Sequence, residues 1–245
     1  GQLDYNERDG DKSPPDDDED DELDEGWIAH LTCYSYDTNK DASGNNRINI
    51  NQANERQLEN SLNINRSQAK WIVENRQKNK YKSIADLVNK SSPKKAERSS
   101  NRDSDNAEPL DLQTFYQIAD KITVDNSQKI PGKVNINTAS EDVLRALLGG
   151  DEAAEELARD IIIYRAGLID GMQSIAEVMQ AGTMKIDTFK KVAGYITTRS
   201  DVFTVRCVAT ADRSGLSGAT LQTEAVVDRS STPCKILYWH QGANN

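Results

Sequence analysis

The stretch Ile48-Asn49-Ile50-Asn51-Gln52-Ala53 returns 86 residues later as Val134-Asn135-Ile136-Asn137-Thr138-Ala139, each followed at the same distance by a leucine, Leu58 or Leu144. Two more blocks return in the same order. Trp71-Ile72-Val73-Glu74-Asn75-Arg76 matches Asp160-Ile161-Ile162-Ile163-Tyr164-Arg165 at an offset of 89, and Ser83-Ile84-Ala85-Asp86-Leu87 matches Ser174-Ile175-Ala176-Glu177-Val178 at 91. Three matches in one order define an internal repeat, which sets the architecture before any local element is read. Each copy reads as three short helices. Asn51 or Asn137 is placed to cap the first, Ser67 or Asp151 stands near the start of the second, and Ser83 or Ser174 caps the third. Asp86 or Glu177, three residues after that serine, completes a capping box. Leu58, Ala69, Ile72, Val73, Ile84 and Leu87 recur at helical spacing and predict one small core per copy.

Working outward, residues 91–105 are rich in Ser, Lys, Arg and Asn and read as an exposed linker. Amphipathic helices are predicted over 110–122, with Leu112, Phe115, Ile118, Ala119 and Ile122 inward, and over 185–197, through Ile186, Phe189, Val192, Ala193 and Ile196. The end of the chain changes character. Residues 203–210, 220–227 and 235–239 alternate with turn-rich segments at 212–218 and 228–233 and predict a three-stranded antiparallel meander. Residues 27–36 are aromatic and β-branched enough to form one strand, followed by turn chemistry to residue 46. If that strand joins the C-terminal sheet, the helical block is an insertion into a β domain. The fold class is therefore α+β, an antiparallel sheet with a large inserted all-helical domain. Its expected parts are an acidic arm (1–26), a strand and turn (27–46), a first repeat (47–92), a linker and helix (93–133), a second repeat with its closing helix (134–198) and a β meander (199–245).

Over 245 residues, 36% hydrophobic and 29% charged is polar for one well-filled core, so part of the chain is expected outside any core. No stretch approaches the roughly 18 uninterrupted apolar residues of a membrane helix, and no charged-then-apolar signal segment opens the chain. The net charge of −10 conceals an asymmetry: residues 1–45 hold 15 Asp/Glu against 3 Lys/Arg, whereas 46–102 hold 5 against 13. An acidic arm beside a basic segment points to intramolecular pairing, to cation binding by the arm, or to nucleic acid on the basic part. For nucleic acid, Arg66, Lys70, Arg76, Lys78, Lys80, Lys82, Lys94 and Lys95 would line a phosphate track; otherwise they are the solvated face of small helices. For a cation, Asp4, Asn6, Asp9 and Asp11 have the alternating oxygen spacing of a calcium loop, with Asp16, Asp18 and Asp20 of the acidic run 16–22 adding carboxylates. Calcium suits such a flexible set better than magnesium does. No nucleophile elbow, phosphate-binding glycine loop or histidine beside a nucleophile occurs, so the residues point away from an enzyme. Cys33, Cys207 and Cys234 match no metal spacing and read as free thiols or one disulfide. Cys207 with Cys234 is one pairing and Cys33 is the rival partner.

The repeat resembles the helix-hairpin-helix unit of the competence DNA receptor family, whose hairpin carries Gly-apolar-Gly. Here the first hairpin is Asn63-Ile64-Asn65, where asparagine tolerates the left-handed turn but its side chain stands in the way of a phosphate. The second is Gly149-Gly150-Asp151-Glu152, with two carboxylates where a phosphate would lie. In its whole order the chain resembles the minor pseudopilin K family of type II secretion systems. That order runs from the paired repeats and the block 133–139, through Ile196-Thr197-Thr198-Arg199-Ser200-Asp201-Val202-Phe203-Thr204-Val205 and Glu224-Ala225-Val226-Val227-Asp228-Arg229, to a closing Leu237-Tyr238-Trp239. This resemblance implies a pseudopilin-type sheet with an inserted helical domain and a place at the tip of a pseudopilus. It also implies partners of the I and J types, calcium, and an inner-membrane anchor through an N-terminal helix absent from this chain, with the soluble part in the periplasm. The competing expectation is a DNA-binding module of a DNA-uptake protein.

Overall fold

The computed structural model describes residues 32–88, 107–213 and 216–244. The first copy of the repeat opens with strand β2 (Ile48–Asn49), preceded by β1 (Tyr36–Asp37), and continues into α1 (Glu55–Leu62), α2 (Arg66–Lys78) and a 3-10 turn, Ile84–Leu87. Then α3 (Leu112–Ile118) runs through a second 3-10 turn into β3 (Ile122–Thr123), followed by β4 (Ile130–Pro131). The second copy repeats the order: β5 (Val134–Asn135), α4 (Glu141–Leu148), α5 (Glu152–Ala166), a 3-10 turn at Ile175–Gln180, α6 (Ile186–Val192) and β6 (Ile196–Thr197). The chain closes with β7 (Val202–Arg213), β8 (Leu216–Asp228) and β9 (Lys235–Asn244), an antiparallel meander in the order β7-β8-β9.

Strand pairing shows that the repeat is longer than its three sequence blocks. β2 lies parallel to β3 with Ile48 opposite Ile122, and β5 lies parallel to β6 with Val134 opposite Ile196. The closing helices α3 and α6 are thus the fourth matched element, with Thr114-Phe115, Ala119 and Ile122-Thr123 answering Thr188-Phe189, Ala193 and Ile196-Thr197 at an offset of 74. The predicted helices 110–122 and 185–197 are accordingly shorter, because their last residues leave the helix for these strands.

The spacing predicts one core per copy; the structure has one core for both. Leu58, Ile72 and Leu87 of the first copy and Leu144, Ile161 and Val178 of the second belong to a single buried cluster. Phe115 and Phe189 meet edge to face at its centre, ring centroids 6.1 Å apart. The cause is size: half of this helical body is too small to bury its own apolar faces, whereas two copies together enclose them.

Two local readings change. Asn54 and Ser140, three residues after the expected Asn51 and Asn137, cap the first helix of each copy. The second helices are capped by Asn65 and Asp151, and the serine capping boxes of Ser83 with Asp86 and Ser174 with Glu177 form as expected. The strand expected over 27–36 lies partly outside the described residues. Its described end, Tyr36–Asp37, pairs antiparallel with β4 and not with the C-terminal sheet. It reaches that sheet by side chains only: the Tyr34 ring lies 6.3 Å from that of Tyr238, and the Tyr36 hydroxyl donates to Asp228 Oδ2 at 2.6 Å.

Candidate nucleic-acid interface

A helix-hairpin-helix unit meets a phosphate through free backbone N–H groups at its hairpin, so the hairpins decide what each copy can do. In the first, α1 ends on Asn63, held left-handed at φ 54°, and Ile64 turns inward to 7% exposure, anchoring the turn in the core. Asn65 then caps α2, its side chain accepting from Gln68 N at 2.8 Å while its own N–H donates to Gln68 Oε1 at 3.2 Å. The turn survives without glycine, and its cap donors are engaged internally. In the second hairpin Gly149 and Gly150 take φ of 123° and 79°, which only glycine adopts without strain. Their N–H groups donate to Ala146 O and Arg145 O, and the Asp151 carboxylate accepts from Ala154 N at 2.8 Å. Glu141, Glu152 and Glu155 stand in the first turns of α4 and α5, with Arg159 bonded to Glu141 and Glu155. At that hairpin the Gly149 and Gly150 N–H groups are engaged, and the first-turn carboxylates outnumber Arg145 in the last turn of α4.

The predicted basic residues fall into two groups. Arg66 is the first residue of α2 and Lys70 lies one turn later, 4.0 Å from Glu74. Lys78 ends the same helix, and Lys80 and Lys82 follow it, all exposed. Along the helix Lys78 lies about 18 Å from Arg66 and about 12 Å from Lys70. Arg76 faces inward, its Nη1 donating to Ile50 O at 2.7 Å. Lys94 and Lys95 lie outside the described residues.

So do all the predicted metal ligands, Asp4, Asn6, Asp9, Asp11, Asp16, Asp18 and Asp20; among the described residues no cluster of three His, Cys, Asp or Glu is placed to hold a metal ion. Cys33, Cys207 and Cys234 are exposed free thiols. Cys207 is on β7 and Cys234 precedes β9, with β8 between those strands, so the expected Cys207–Cys234 neighbourhood does not arise.

Sequence reasoning missed two polar systems. The first is a pair of matched straps. Asn51 binds both Tyr81 O and Tyr81 N, and Asn137 binds Met172 O and Met172 N, each tying the opening strand of its copy to the loop before the 3-10 turn. Arg165 Nη1 bonds Ile136 O at 2.7 Å, as Arg76 bonds Ile50 O. Burial pulls the Arg165 guanidinium below its usual range. The letters Asn-Ile-Asn and the arginine were visible in both copies; their duty was not.

The second system is a buried junction. Asp37, at 7% exposure, accepts from Arg47 Nη1 at 3.1 Å, Thr197 Oγ1 at 2.5 Å and Asn39 N at 2.6 Å. Burial pushes its carboxyl up, but the Arg47 charge and these donors outweigh it and hold it below the usual carboxylate range. Asp120 accepts from Arg47, Arg199 and Ala42 N. Asp228 is held far below that range by the Tyr36 hydroxyl and by Ser230. Lys133 lines a cleft of about 440 Å³ between the copies, where burial depresses its ammonium.

No curated protein and no solved structure matches the chain. Residues 43–98, which take in the opening strand, both helices and the asparagine hairpin of the first copy, are similar to a family model described as the helix-hairpin-helix motif.

Proposed function

We propose that this chain is a minor pseudopilin at the tip of a type II secretion pseudopilus, a part of the export of folded proteins that acts by assembly and not as an enzyme. In this reading it is held at the inner membrane with this portion in the periplasm, beside pseudopilins of the I and J types. The observation that carries it is the C-terminal sheet. Cross-strand partners share a face, and one face has two successive apolar rows, Phe203 with Val227 and Ile236 and Val205 with Ala225 and Trp239, while the row of Cys207, Thr223 and Gln241 separates them from Ala209 with Leu221. Val205, Ile236 and Trp239 are more than half exposed, at 52%, 63% and 56%. The outer edges of β7 and β9 have no partner strand among the described residues. An exposed apolar patch between two open edges supports contact with other protein chains. The helical body supports a tip position, because a subunit so bulky on one side cannot be repeated in a helical stack. Calcium enters through Asp4, Asn6, Asp9 and Asp11, and would raise the melting temperature more than magnesium does; equal melting in calcium and EDTA removes it.

Deleting the gene should block export of a folded enzyme and leave DNA uptake intact. Complementation with Trp239→Glu, a change at an exposed position, should yield a folded protein that fails to restore export. Normal export in either strain overturns the assembly reading.

The match to the helix-hairpin-helix motif favours a second reading, duplex binding by the first copy through Arg66, Lys70, Lys78, Lys80 and Lys82. Its weakness is the geometry of the hairpins and the separation of the two basic groups. Gel retardation of duplex by the whole chain near ~50 mM salt, abolished by replacing Lys78, Lys80 and Lys82 with glutamine, would establish it; no retardation there removes it.

A further inference from the structure

The chain leaves the helical body through Thr197-Thr198-Arg199-Ser200-Asp201 and enters the sheet at Val202. Beside this passage is a cavity of about 260 Å³ whose wall includes Lys40, Arg47, Arg199, Asp201, Arg229 and Ser230. Arg199 determines its chemistry. Its Nη2 donates to the Asp120 carboxylate and to Gln173 O at 2.9 Å, while Nε and Nη1 are buried with no hydrogen-bond partner among the described residues. Nearly all buried polar groups in folded proteins have a partner, and leaving a donor without one costs about 1–3 kcal/mol, more when it is charged.

Three neighbouring carboxylates are already engaged, and that of Asp201, also on the wall, accepts from neither Arg199 nor Arg229. Asp37 holds Arg47, Thr197 and Asn39 N. Asp41 accepts from Ser43 N at 3.0 Å and Asn45 N at 2.8 Å. Asp120 accepts from Arg47, Arg199 and Ala42 N. A second guanidinium is left over: that of Arg229 lies over the Phe203 ring, 4.9 Å from its centroid, and is paired with no carboxylate among the described residues. The wall therefore carries two guanidinium N–H groups of Arg199 that meet no acceptor among the described residues. A metal ion is the wrong ligand for these donors, and an anionic acceptor would also face the Arg229 guanidinium.

We infer that this cavity is a binding site for an oxyanion of the carboxylate or phosphate class, whose oxygens accept from Arg199 Nε and Nη1 and whose charge faces Arg229. The same chemistry comes from two sources, a free inorganic oxyanion or an Asp or Glu side chain of another protein. Because Arg47 and Arg199 belong to the helical body and Arg229 to the sheet, the bound oxyanion bridges the two. This site stands whether or not the chain serves in secretion.

The test titrates the whole chain, in chloride buffer at constant ionic strength, with inorganic phosphate and separately with N-acetyl-aspartate amide, followed by calorimetry and by the Nε–H resonances of the arginines. The expected result is saturable binding of at least one probe with displacement of the Arg199 Nε–H resonance. Arg199→Lys and Arg229→Gln should each weaken it by about tenfold or more, the loss of a hydrogen bond to a charged group, and the remote Lys80→Gln should not. Arg199 also binds Asp120, so its variant is checked for folding by circular dichroism; Arg229 is exposed, and its variant carries the test if the other unfolds. Binding of phosphate alone assigns the site to a free oxyanion, and binding of the aspartate probe alone assigns it to a protein side chain. Failure of both probes to bind, or binding that neither substitution weakens, overturns the inference and leaves the cavity to water.

Discussion

Replacing Asp37 by asparagine removes one charge from the junction and leaves its shape in place. The carboxylate lies 3.1 and 3.2 Å from Arg47 Nη1, and the Arg47 side chain is 13% exposed. Removing one partner of a buried ion pair costs about 3–5 kcal/mol because the other charge is left buried. Arg47 keeps Asp120 Oδ1 at 3.5 Å and the Asp120 carbonyl at 2.9 Å, which places Asp37→Asn at the lower end, about 3 kcal/mol. Thr197→Val, which removes only the hydroxyl donor, should cost about 1 kcal/mol. Urea unfolding at pH 7, followed by circular dichroism, measures both. Acid supplies the sign. The folded carboxyl lies below its ordinary 3.8, so its contribution is fully present above about pH 4 and is lost as pH falls through the folded value. Wild type and Asp37→Asn should therefore converge below pH 4. A difference under about 0.5 kcal/mol at pH 7, or one that widens in acid, refutes the reasoning, since the first is the scale of ordinary surface changes.

Phe115→Ala should cost about 3–5 kcal/mol by opening a cavity against Phe189. Because the core is shared, hydrogen exchange should accelerate in both copies together, and loss of protection confined to the first copy would contradict one core. Asn137→Ala removes bonds to Met172 O, Met172 N and Thr198 O, whereas Asn51→Ala removes only those to Tyr81. At about 1 kcal/mol per bond, denaturant midpoints should rank the second-copy variant as the less stable by about that amount.

The repeat was legible because its blocks are short runs whose side chains do the same job twice. Its closing quarter was not. Offsets of 86 to 91 hold through the 3-10 turns and then drop to 74, because the first copy carries 17 more residues between its 3-10 turn and closing helix. Extra residues in such a connection cost little stability, yet they break the period on which recognition depends. The caps were misplaced for a different reason: Asn51 and Asn54 are equally good cap residues by type, and so are Asn137 and Ser140. Only the strap to Tyr81 or Met172, a contact across 30 or 35 residues, removes the earlier asparagine from the choice. The pairing of Tyr36 with Pro131 and the bond of Asp37 to Thr197, 160 residues away, have no local signature at all.

Charge counting located a basic segment, but helix geometry decided what it amounts to, since a 13-residue helix carries its two basic groups to opposite ends. One part of that outcome could have been read from the letters. Arg76 stands in the basic copy and Arg165 in the acidic one, at matching positions in the repeat. A residue recruited for phosphate has no work in the acidic copy, so an arginine present in both settings is better explained by a duty independent of surface charge. That duty is the bond from each guanidinium to the carbonyl of Ile50 or Ile136, which fixes the opening strand of the copy over its second helix. The residues free to differ between the copies are exposed ones, Arg66, Lys78, Lys80 and Lys82 on one side and Glu152 on the other. The fold tolerates both sets because neither lies in the shared core, and the helical body therefore presents a basic copy and an acidic one to any partner.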